Sequence, residues 1–188
     1  MRFQFTILNT AIIVFVLLAF QGIKLYVMGQ PLISASGIIE LWHGVVASPE
    51  NSQQISDWYT WSHVIHGFLF YLALWFFFPK TPVAFRLVLA VGMEVSWEII
   101  ENTPWIINRY REQALAQGYI GDSVINSVCD TIAMIVGFLA ASRFRLWASA
   151  AAIIFIELVM LFMIRDSLTL NIIQLLHPVE AISEWQGG

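Results

Sequence analysis

The stretch AIIVFVLLAF at residues 11–20 is an unbroken run of apolar side chains, and it indicates the fold class of the whole chain. It lies within a longer apolar segment, 5–27, and about 20 mostly apolar residues suffice to cross the hydrocarbon core of a bilayer as a helix. Segments of similar length follow at 60–79, 83–102, 123–142 and 146–165. The sequence therefore predicts an all-α polytopic membrane bundle of about five transmembrane helices, in which Gly92 and Gly137 allow close helix packing.

The composition agrees with this class. Of 188 residues, 59% are hydrophobic and 12% are charged, whereas soluble domains have about 45–50% and about 25%. The length predicts one integral membrane domain over residues 1–188. A net charge of −4 and the lack of a basic run argue against nucleic-acid binding. The single cysteine, Cys129, excludes an internal disulfide and a cysteine-rich metal site. The lipid bilayer is the expected partner, and the sequence indicates no particular protein partner.

Two other segments are predicted to lie at the membrane surface. GIIELWHGVV at residues 37–46 has the character of a short interfacial helix, and the tail at 167–185 is too polar for a sixth span and is predicted to be an interfacial helix as well. The first apolar segment also has features of a signal peptide, with 34–36 as the candidate cleavage region. Its length favours a membrane span instead.

The charges in the loops indicate an orientation. Lys and Arg are divided almost evenly between the two sides, which gives only a weak positive-inside signal. One side carries Arg2, Lys80, Arg86, Arg143 and Arg145, and the other carries Lys24, Arg109, Arg111 and Arg165. The acidic loop residues all fall on the second side. They are Glu40, Glu50, Asp57, Glu112, Glu180 and Glu184. We therefore expect a bacterial inner-membrane protein with a cytoplasmic amino terminus and a periplasmic carboxyl tail.

Ionisable residues inside membrane spans are costly, so each one is a candidate functional residue. The chain places several of them at helical spacing near the outer ends of three spans. They are His63 with His66, Glu94 with Glu98 and Glu101, and Asp122 with Asn126 and Asp130. From the helical rise, one level about 10–12 Å below the outer ends is predicted to hold Glu94, Asp130 and Glu157. A shallower level, about 4–6 Å below the same ends, is predicted to hold His66, Glu98 and Asn126. Carboxylates at one level in an apolar interior require protons or a cation.

This set of residue types suits two kinds of chemistry. Imidazole and carboxylate together bind zinc, iron or manganese, so a divalent metal is one interpretation, with His63, His66, Glu98 and Asp130 as candidate ligands. The same region also offers general acids and bases. The candidate catalytic residues are Glu94, Glu98, Asp130, Asn126 and Asp122. A purely structural reading stays open, in which the histidines form an interfacial pair and Asp122 or Ser123 caps a helix.

The loop TPWIINRYREQALAQGYIG at residues 103–121 is predicted to bring Arg109 and Arg111 over this polar region. Arginine binds oxyanions in bidentate fashion, so both are candidate ligands of an anionic headgroup, together with Glu101 as a substrate-binding residue. Contact of the arginines with anionic lipid or with Glu112 is the alternative.

Four motifs carry a resemblance to a known family: WSHVIHG (61–67), EVSWEIIENTPWIINRYRE (94–112), GYIGDSVINSVCDT (118–131) and RDSLTLNIIQLLHP (165–178). With them the chain resembles a small family of uncharacterised bacterial multi-pass inner-membrane proteins over nearly its whole length. A weaker similarity to VanZ-like membrane proteins is confined to the region from Glu94 to Asn126. It follows an acidic residue late in one span, a loop arginine, and Asp-x-x-x-Asn at the start of the next span. The second carboxylate Glu98 and the pair of histidines depart from that pattern.

Three functions from different classes remain. The first is an intramembrane hydrolase or transferase that acts on a lipid or lipid-linked substrate at the periplasmic face. The second is a carrier or binding protein for a cation, a proton or a small amine. The third is an accessory subunit of a membrane complex, whose polar residues only fix helix packing.

Overall fold

The computed structural model describes residues 5–188, so Arg2 and its predicted cytoplasmic position lie outside the described residues. Within this range the chain is all-α, as predicted. The helices are α1 (Ile7–Val27), α2 (Thr60–Phe77), α3 (Val83–Glu101), α4 (Pro104–Arg111), α5 (Val124–Ala141), α6 (Leu146–Ile164), α7 (Leu168–Leu176) and α8 (Glu180–Gly187).

Four helices in the described part of the chain, α1, α2, α5 and α6, are long and apolar enough to cross a membrane. Their bounds agree with the predicted spans to within about three residues, in line with the usual uncertainty of helix ends. Large apolar side chains point outward from α1 and α6, where Ile7 is 92% exposed and Phe162 is 87% exposed. Surfaces of this kind are typical of helices that face lipid rather than water.

Helix α3 matches the remaining predicted span in length, with 19 residues, but its composition differs from that of the four apolar helices. It carries Arg86, Glu94, Glu98 and Glu101. The first three of these are buried in the bundle. The polar side of α3 therefore faces the other helices, and this helix supplies most of the carboxylates of the candidate site.

The centre of the bundle is the pair α2 and α5, which pack together over their length. Gly67 of α2 and Gly137 of α5 lie against each other's helix backbone, and a Cβ at Gly67 would overlap the carbonyl oxygen of Met134. A Cβ at Gly137 would overlap the carbonyl oxygen of Val64. Close packing at Gly137 is thus confirmed. The same prediction is wrong for Gly92, which has no atom within 4 Å of its Cβ position.

Helix α1 is joined to this pair by hydrogen bonds as well as by apolar packing. The side-chain amide of the fully buried Gln21 donates to the Ser127 hydroxyl at 2.7 Å and to the Ser127 carbonyl at 2.9 Å. The Thr131 hydroxyl donates to the Gln21 carbonyl oxygen at 2.9 Å. In the structure, the first apolar segment is therefore an integral helix of the bundle.

The predicted interfacial helix at 37–46 is wrong, because this segment is non-helical. Its backbone pairs with residues 54–57 instead of with itself: the Glu40 N–H donates to the side chain of Gln54 at 2.6 Å, and the His43 N–H donates to the Ser56 carbonyl at 2.9 Å. A positive φ of 73° at Gly37 turns the chain just before this extended stretch. These pairings use the backbone groups that a helix would need.

The connection between α1 and α2, residues 28–59, also covers the start of α5. The backbone N–H groups of Ser123, Val124 and Ile125 donate to the carbonyls of Ser52, Pro31 and Leu32, respectively, at 2.8–3.2 Å. Ser123 is the N-cap, and its hydroxyl accepts from the Asn126 N–H. The loop thereby satisfies donors that a helix start leaves unpaired.

The carboxyl tail forms two helices rather than one. His177 and Pro178 separate α7 from α8, because proline cannot continue a helix. The tail folds back onto the bundle at the buried Asp166, whose carboxylate accepts from the Tyr59 hydroxyl at 3.0 Å and from the Gln186 amide at 3.2 Å. This docking places α7 beside the end of α2.

We expect the docking of the tail to depend on pH through Asp166. Burial raises the pKa of this carboxyl from 3.8 to about 6, although hydrogen bonds from Ser167 and Tyr59 lower it in part. Since the folded state binds the proton more tightly, this group stabilises the fold fully below about pH 4, and the contribution is lost as the pH rises through about 6. Thermal unfolding of the detergent-solubilised protein between pH 4 and 7 should show a change of up to about 3 kcal/mol between wild type and Asp166→Asn. Parallel pH profiles of the two proteins would contradict this.

Candidate functional site

Two histidines and one glutamate form the centre of the site. His63 and His66 lie on the same face of α2, and Glu94 of α3 lies between their rings. The Nδ1 of His63 is 2.6 Å from Glu94 Oε1, and the Nδ1 of His66 is 3.1 Å from Glu94 Oε2. Glu94 is fully buried. An ionised carboxylate only accepts hydrogen bonds, so both imidazoles can donate Nδ1–H to Glu94, and a ring that is neutral in this arrangement carries its lone pair on Nε2.

Two further carboxylates approach His63. Asp130 of α5 lies on the other edge of the ring, with Oδ2 at 3.9 Å from His63 Nε2. Glu98 lies one helical turn from Glu94, with Oε1 at 3.2 Å from His63 Nδ1, and its Oε2 accepts from the Ser127 hydroxyl at 2.6 Å. Asp130 Oδ1 is buried and accepts no hydrogen bond, whereas Glu98 Oε1 has His63 Nδ1 as its near neighbour. Because an unpaired buried acceptor is costly, Asp130 Oδ1 is suited to bind a proton, a cation or a ligand.

A cavity of about 560 Å³ opens over this cluster. That is a usual volume for a small-molecule site. Its polar floor consists of His63, His66, Asp130, Glu101 and Asp122, and its apolar wall includes Phe70, Trp97, Leu168, Ile172 and Leu175. Among the described residues that line it, there is no Lys or Arg. The cavity therefore joins an anionic, imidazole-containing floor to an apolar wall.

Asp122 is held at the edge of the cavity by hydrogen bonds that link α3 to the start of α5. Its carboxylate accepts from the Asn102 amide at 2.7 Å and from the Tyr119 hydroxyl at 2.8 Å, and its own N–H donates to Asn102 at 2.7 Å. Burial raises the pKa of Asp122, and the Asn102 and Tyr119 donors oppose that effect. These bonds make Asp122 a structural clamp as well as a cavity residue.

The structure separates two other predicted residues from the cavity. Asn126 is buried, but its amide donates to the Gln54 carbonyl at 2.9 Å and so holds the loop before α2. Glu157 of α6 accepts from the Thr169 N–H at 3.3 Å. It therefore contacts the start of α7 instead of joining Glu94 and Asp130.

The arginines of the loop also lie away from the cavity lining, so their predicted position over the site is wrong. Arg109 donates to the Leu175 carbonyl at 2.9 Å and to Glu112 at 2.8 Å. Arg111 donates to the Tyr119 carbonyl at 2.6 Å. The reason lies in the local structure: Pro104 ends α3 but begins the short helix α4, which turns both guanidinium groups toward the tail and the loop. For Arg109, the alternative contact with Glu112 is the one present.

In two sets of side chains among the described residues, the ligand atoms already lie close enough together to hold a metal ion. The sets are His63, His66 and Glu94, and His63, Glu98 and Glu101, and within each set the nearest ligand atoms lie within 4.8 Å of one another. Four residues were predicted from the sequence as metal ligands. His63 lies at their centre, and its ring is surrounded by the other three, His66, Glu98 and Asp130. Glu94 was predicted as a candidate catalytic residue and not as a metal ligand, and the structure places it as the direct partner of both histidines.

The sequence did not allow the apolar wall of the cavity to be predicted. Phe70 and Trp97 sit in spans where an aromatic residue has no distinguishing signal, and Leu168, Ile172 and Leu175 join the wall only because the tail folds back. The spacing of these three along α7 marks an amphipathic helix. That spacing could have predicted a covered apolar face, although not which surface it covers.

The comparisons with known proteins agree on one family. The family model described as "Protein of unknown function (DUF2585)" matches residues 25–188. A UPF0314 protein of Sphingopyxis alaskensis is 54% identical over 172 residues, which cover 92% of each chain. A UPF0314 protein of Brucella anthropi is 48% identical over 178 residues, which cover 95% of this chain and 90% of that one. No solved structure matches, and the VanZ-like similarity stays a prediction. By the extent of these matches, the chain belongs to the DUF2585 family of bacterial proteins of unknown function.

Proposed function

We propose that this protein is a membrane-embedded hydrolase or transferase that acts on a lipid or lipid-linked substrate. One observation carries the proposal: the free edges of His63 and Asp130 lie on the floor of a cavity whose wall is apolar. A purely structural polar cluster would have its acceptors paired, whereas Asp130 Oδ1 accepts no hydrogen bond.

The position of the floor suits an amphiphile. His66 and Asp130 lie six residues inside the starts of α2 and α5, which places them about 9 Å below the helix ends. At this depth a lipid can keep its acyl chain in the bilayer and bring its headgroup linkage to the floor. The apolar wall formed by α7, Phe70 and Trp97 would hold the first part of the chain.

The floor can supply the groups that hydrolysis requires. Glu94 can fix the tautomer of His63, so that Nε2 accepts a proton from water as the water oxygen adds to the acyl or phosphoryl centre and the bond to the leaving group breaks. A metal held at this edge of His63 would supply the same activation by lowering the pKa of the water. The leaving oxygen or nitrogen takes a proton from Glu101 or Asp122, which line the same cavity. In a transferase, an acceptor hydroxyl replaces the water.

The charge of the lining selects among lipid headgroups. Glu101, Asp122 and Asp130 line the cavity, and no Lys or Arg among the described lining residues could pair with an anionic headgroup. Whichever of these carboxyl groups is ionised would repel such a headgroup in this poorly solvated site. We infer that the favoured substrate has a neutral or cationic headgroup, in place of the anionic headgroup that the loop arginines suggested.

The site faces the periplasm if the chain is a multi-pass inner-membrane protein with a cytoplasmic amino terminus. The ends of α2, α3 and α5 that border the cavity would then all lie on the periplasmic side. An alkaline phosphatase reporter fused after Gln113 should be active, and one fused after Arg143 should be inactive. The reverse pattern would contradict this orientation.

Comparative lipidomics of cells tests the function itself. Membranes from a deletion strain should accumulate one lipid class with a neutral or cationic headgroup, and wild-type protein should restore the normal profile. His63→Ala should fail to restore it, although it is expressed at the same level. Identical lipid profiles in the deletion and wild-type strains would rule out the lipid-modifying function.

The same anionic lining favours a second function, transport or binding of a cation or small amine. In that case reconstituted protein should take up a labelled amine or cation into liposomes, and Glu101→Gln should abolish uptake. A lack of uptake by the wild-type protein would remove this candidate.

A further inference from the structure

We infer that the cavity floor is a binding site for one divalent transition-metal ion, held by Nε2 of His63, Nε2 of His66 and the carboxylate of Asp130. Glu94 is then a positioning residue for both histidines and not a ligand. This inference rests on the same cavity as the proposed function, and it assigns the group that activates water there.

The first argument is the direction of the imidazoles. Metal-binding histidines usually donate their other ring N–H to a carboxylate, which fixes the tautomer and increases the basicity of the ligating nitrogen. Glu94 accepts from Nδ1 of both rings, at 2.6 Å and 3.1 Å. One buried carboxylate thus prepares two Nε2 atoms at once. The two ring centroids lie 5.1 Å apart, so both imidazoles border the same part of the cavity.

The second argument is the state of Asp130. This residue is 4% exposed, lines the cavity, and has an oxygen, Oδ1, that accepts no hydrogen bond. Its Oδ2 is 3.9 Å from His63 Nε2. Two ligands of one tetrahedral ion at about 2.1 Å each are separated by about 3.4 Å. A rotamer change of Asp130 can bring its carboxylate and His63 Nε2 onto one ion. The ligand atoms of His63, His66 and Asp130 are not all within 4.8 Å of one another, so the side chains must also close together around the ion.

The opposite edge of the rings is less suitable for a metal. The His63 Nδ1 to Glu94 Oε1 distance of 2.6 Å is that of a hydrogen bond and too short for two ligands of one ion. Glu94 is also fully buried and does not line the cavity. An ion at the Nε2 edge, by contrast, has three protein ligands and an open position toward the cavity. That arrangement is typical of catalytic zinc and of other reactive divalent metals.

Metal titration of the purified, chelator-treated protein in detergent tests the ligand set. We expect the wild type to bind one equivalent of Co²⁺, with visible absorption bands that added Zn²⁺ removes. Asp130→Asn and His66→Ala should each weaken Co²⁺ binding at least tenfold, and Glu94→Gln should weaken it about 10–100-fold. Glu157→Gln is the control, because it removes a carboxylate of the same bundle that bonds to the Thr169 N–H and does not line the cavity, so binding should stay unchanged.

The outcomes separate this site from its alternatives. If Asp130→Asn binds Co²⁺ as well as the wild type while His66→Ala does not, the ion lies at the Glu94 edge and the proposed ligand set is wrong. If the wild type binds no Co²⁺ or Zn²⁺, the metal site itself is wrong. Neither result depends on turnover. Metal binding without lipid hydrolysis would therefore support the metal site, and only the lipid assay would then argue against the proposed enzyme.

Discussion

Glu94→Gln should lower turnover at the cavity about 100-fold without unfolding the protein. Glutamine has nearly the shape of glutamate, but its amide nitrogen donates where a carboxylate oxygen accepts. Its oxygen can take the place of Oε1, which lies 2.6 Å from His63 Nδ1 and 3.2 Å from His66 Nδ1, but its amide nitrogen then takes the place of Oε2, 3.1 Å from His66 Nδ1. Opposite this donor, His66 must present a bare Nδ1 and carry its proton on Nε2. That nitrogen can then neither accept a proton nor bind a metal.

The measurement is the rate of conversion of the lipid class that differs between deletion and wild-type membranes. Glu157→Gln is the control, since Glu157 is a carboxylate of α6 that bonds to the Thr169 N–H and does not line the cavity. We expect a much smaller loss in this control. Equal activity of Glu94→Gln and wild type would remove Glu94 from the site.

Gly67→Ala should destabilise the bundle by about 3 kcal/mol or more, because the new Cβ would overlap the Met134 carbonyl at the α2–α5 contact. Backbone cannot move aside as a flexible side chain can, so α2 and α5 must separate. Since His63 and His66 lie on α2 and Asp130 on α5, the separation would also open the floor of the cavity.

Denaturant or thermal unfolding in detergent micelles measures this effect. Gly92→Ala provides the control, because nothing lies within 4 Å of its Cβ position and the helix propensity of alanine exceeds that of glycine. It should leave stability unchanged or raise it by up to about 1 kcal/mol. A Gly67→Ala protein as stable as Gly92→Ala would contradict the close approach of the two helices.

The helices were predictable because hydrophobic length alone determines which segments can cross a bilayer. Which helices pack against each other was less predictable. Gly92 and Gly137 give the same signal in the sequence, yet only Gly137 lies against another helix, because close approach depends on which helix faces it. The segment 37–46 has apolar residues at helical spacing, but its backbone groups pair with residues far along the chain, which no local pattern reveals.

The site follows the same division. Helical spacing correctly placed His63, Glu94, Glu98 and Asp130 near one end of the bundle, since residues three or four apart share a face. It could not show that Glu94 lies between both histidines, because that depends on the rotation of α3 against α2. It also could not show that α4 turns Arg109 toward Leu175, or that the tail supplies a wall of the cavity. These features arise from long-range contacts.

The most direct test of the proposed lipid-modifying function is turnover by the purified protein. Wild type, His63→Ala and Glu94→Gln, each loaded with Zn²⁺ in mixed micelles of lipid extracted from the deletion strain, are incubated and analysed by mass spectrometry. Wild type should convert one neutral or cationic lipid class to a product, and both variants should lose this conversion. No product from the wild type, or the same rate from His63→Ala, would show that the cavity is not an active site for lipids.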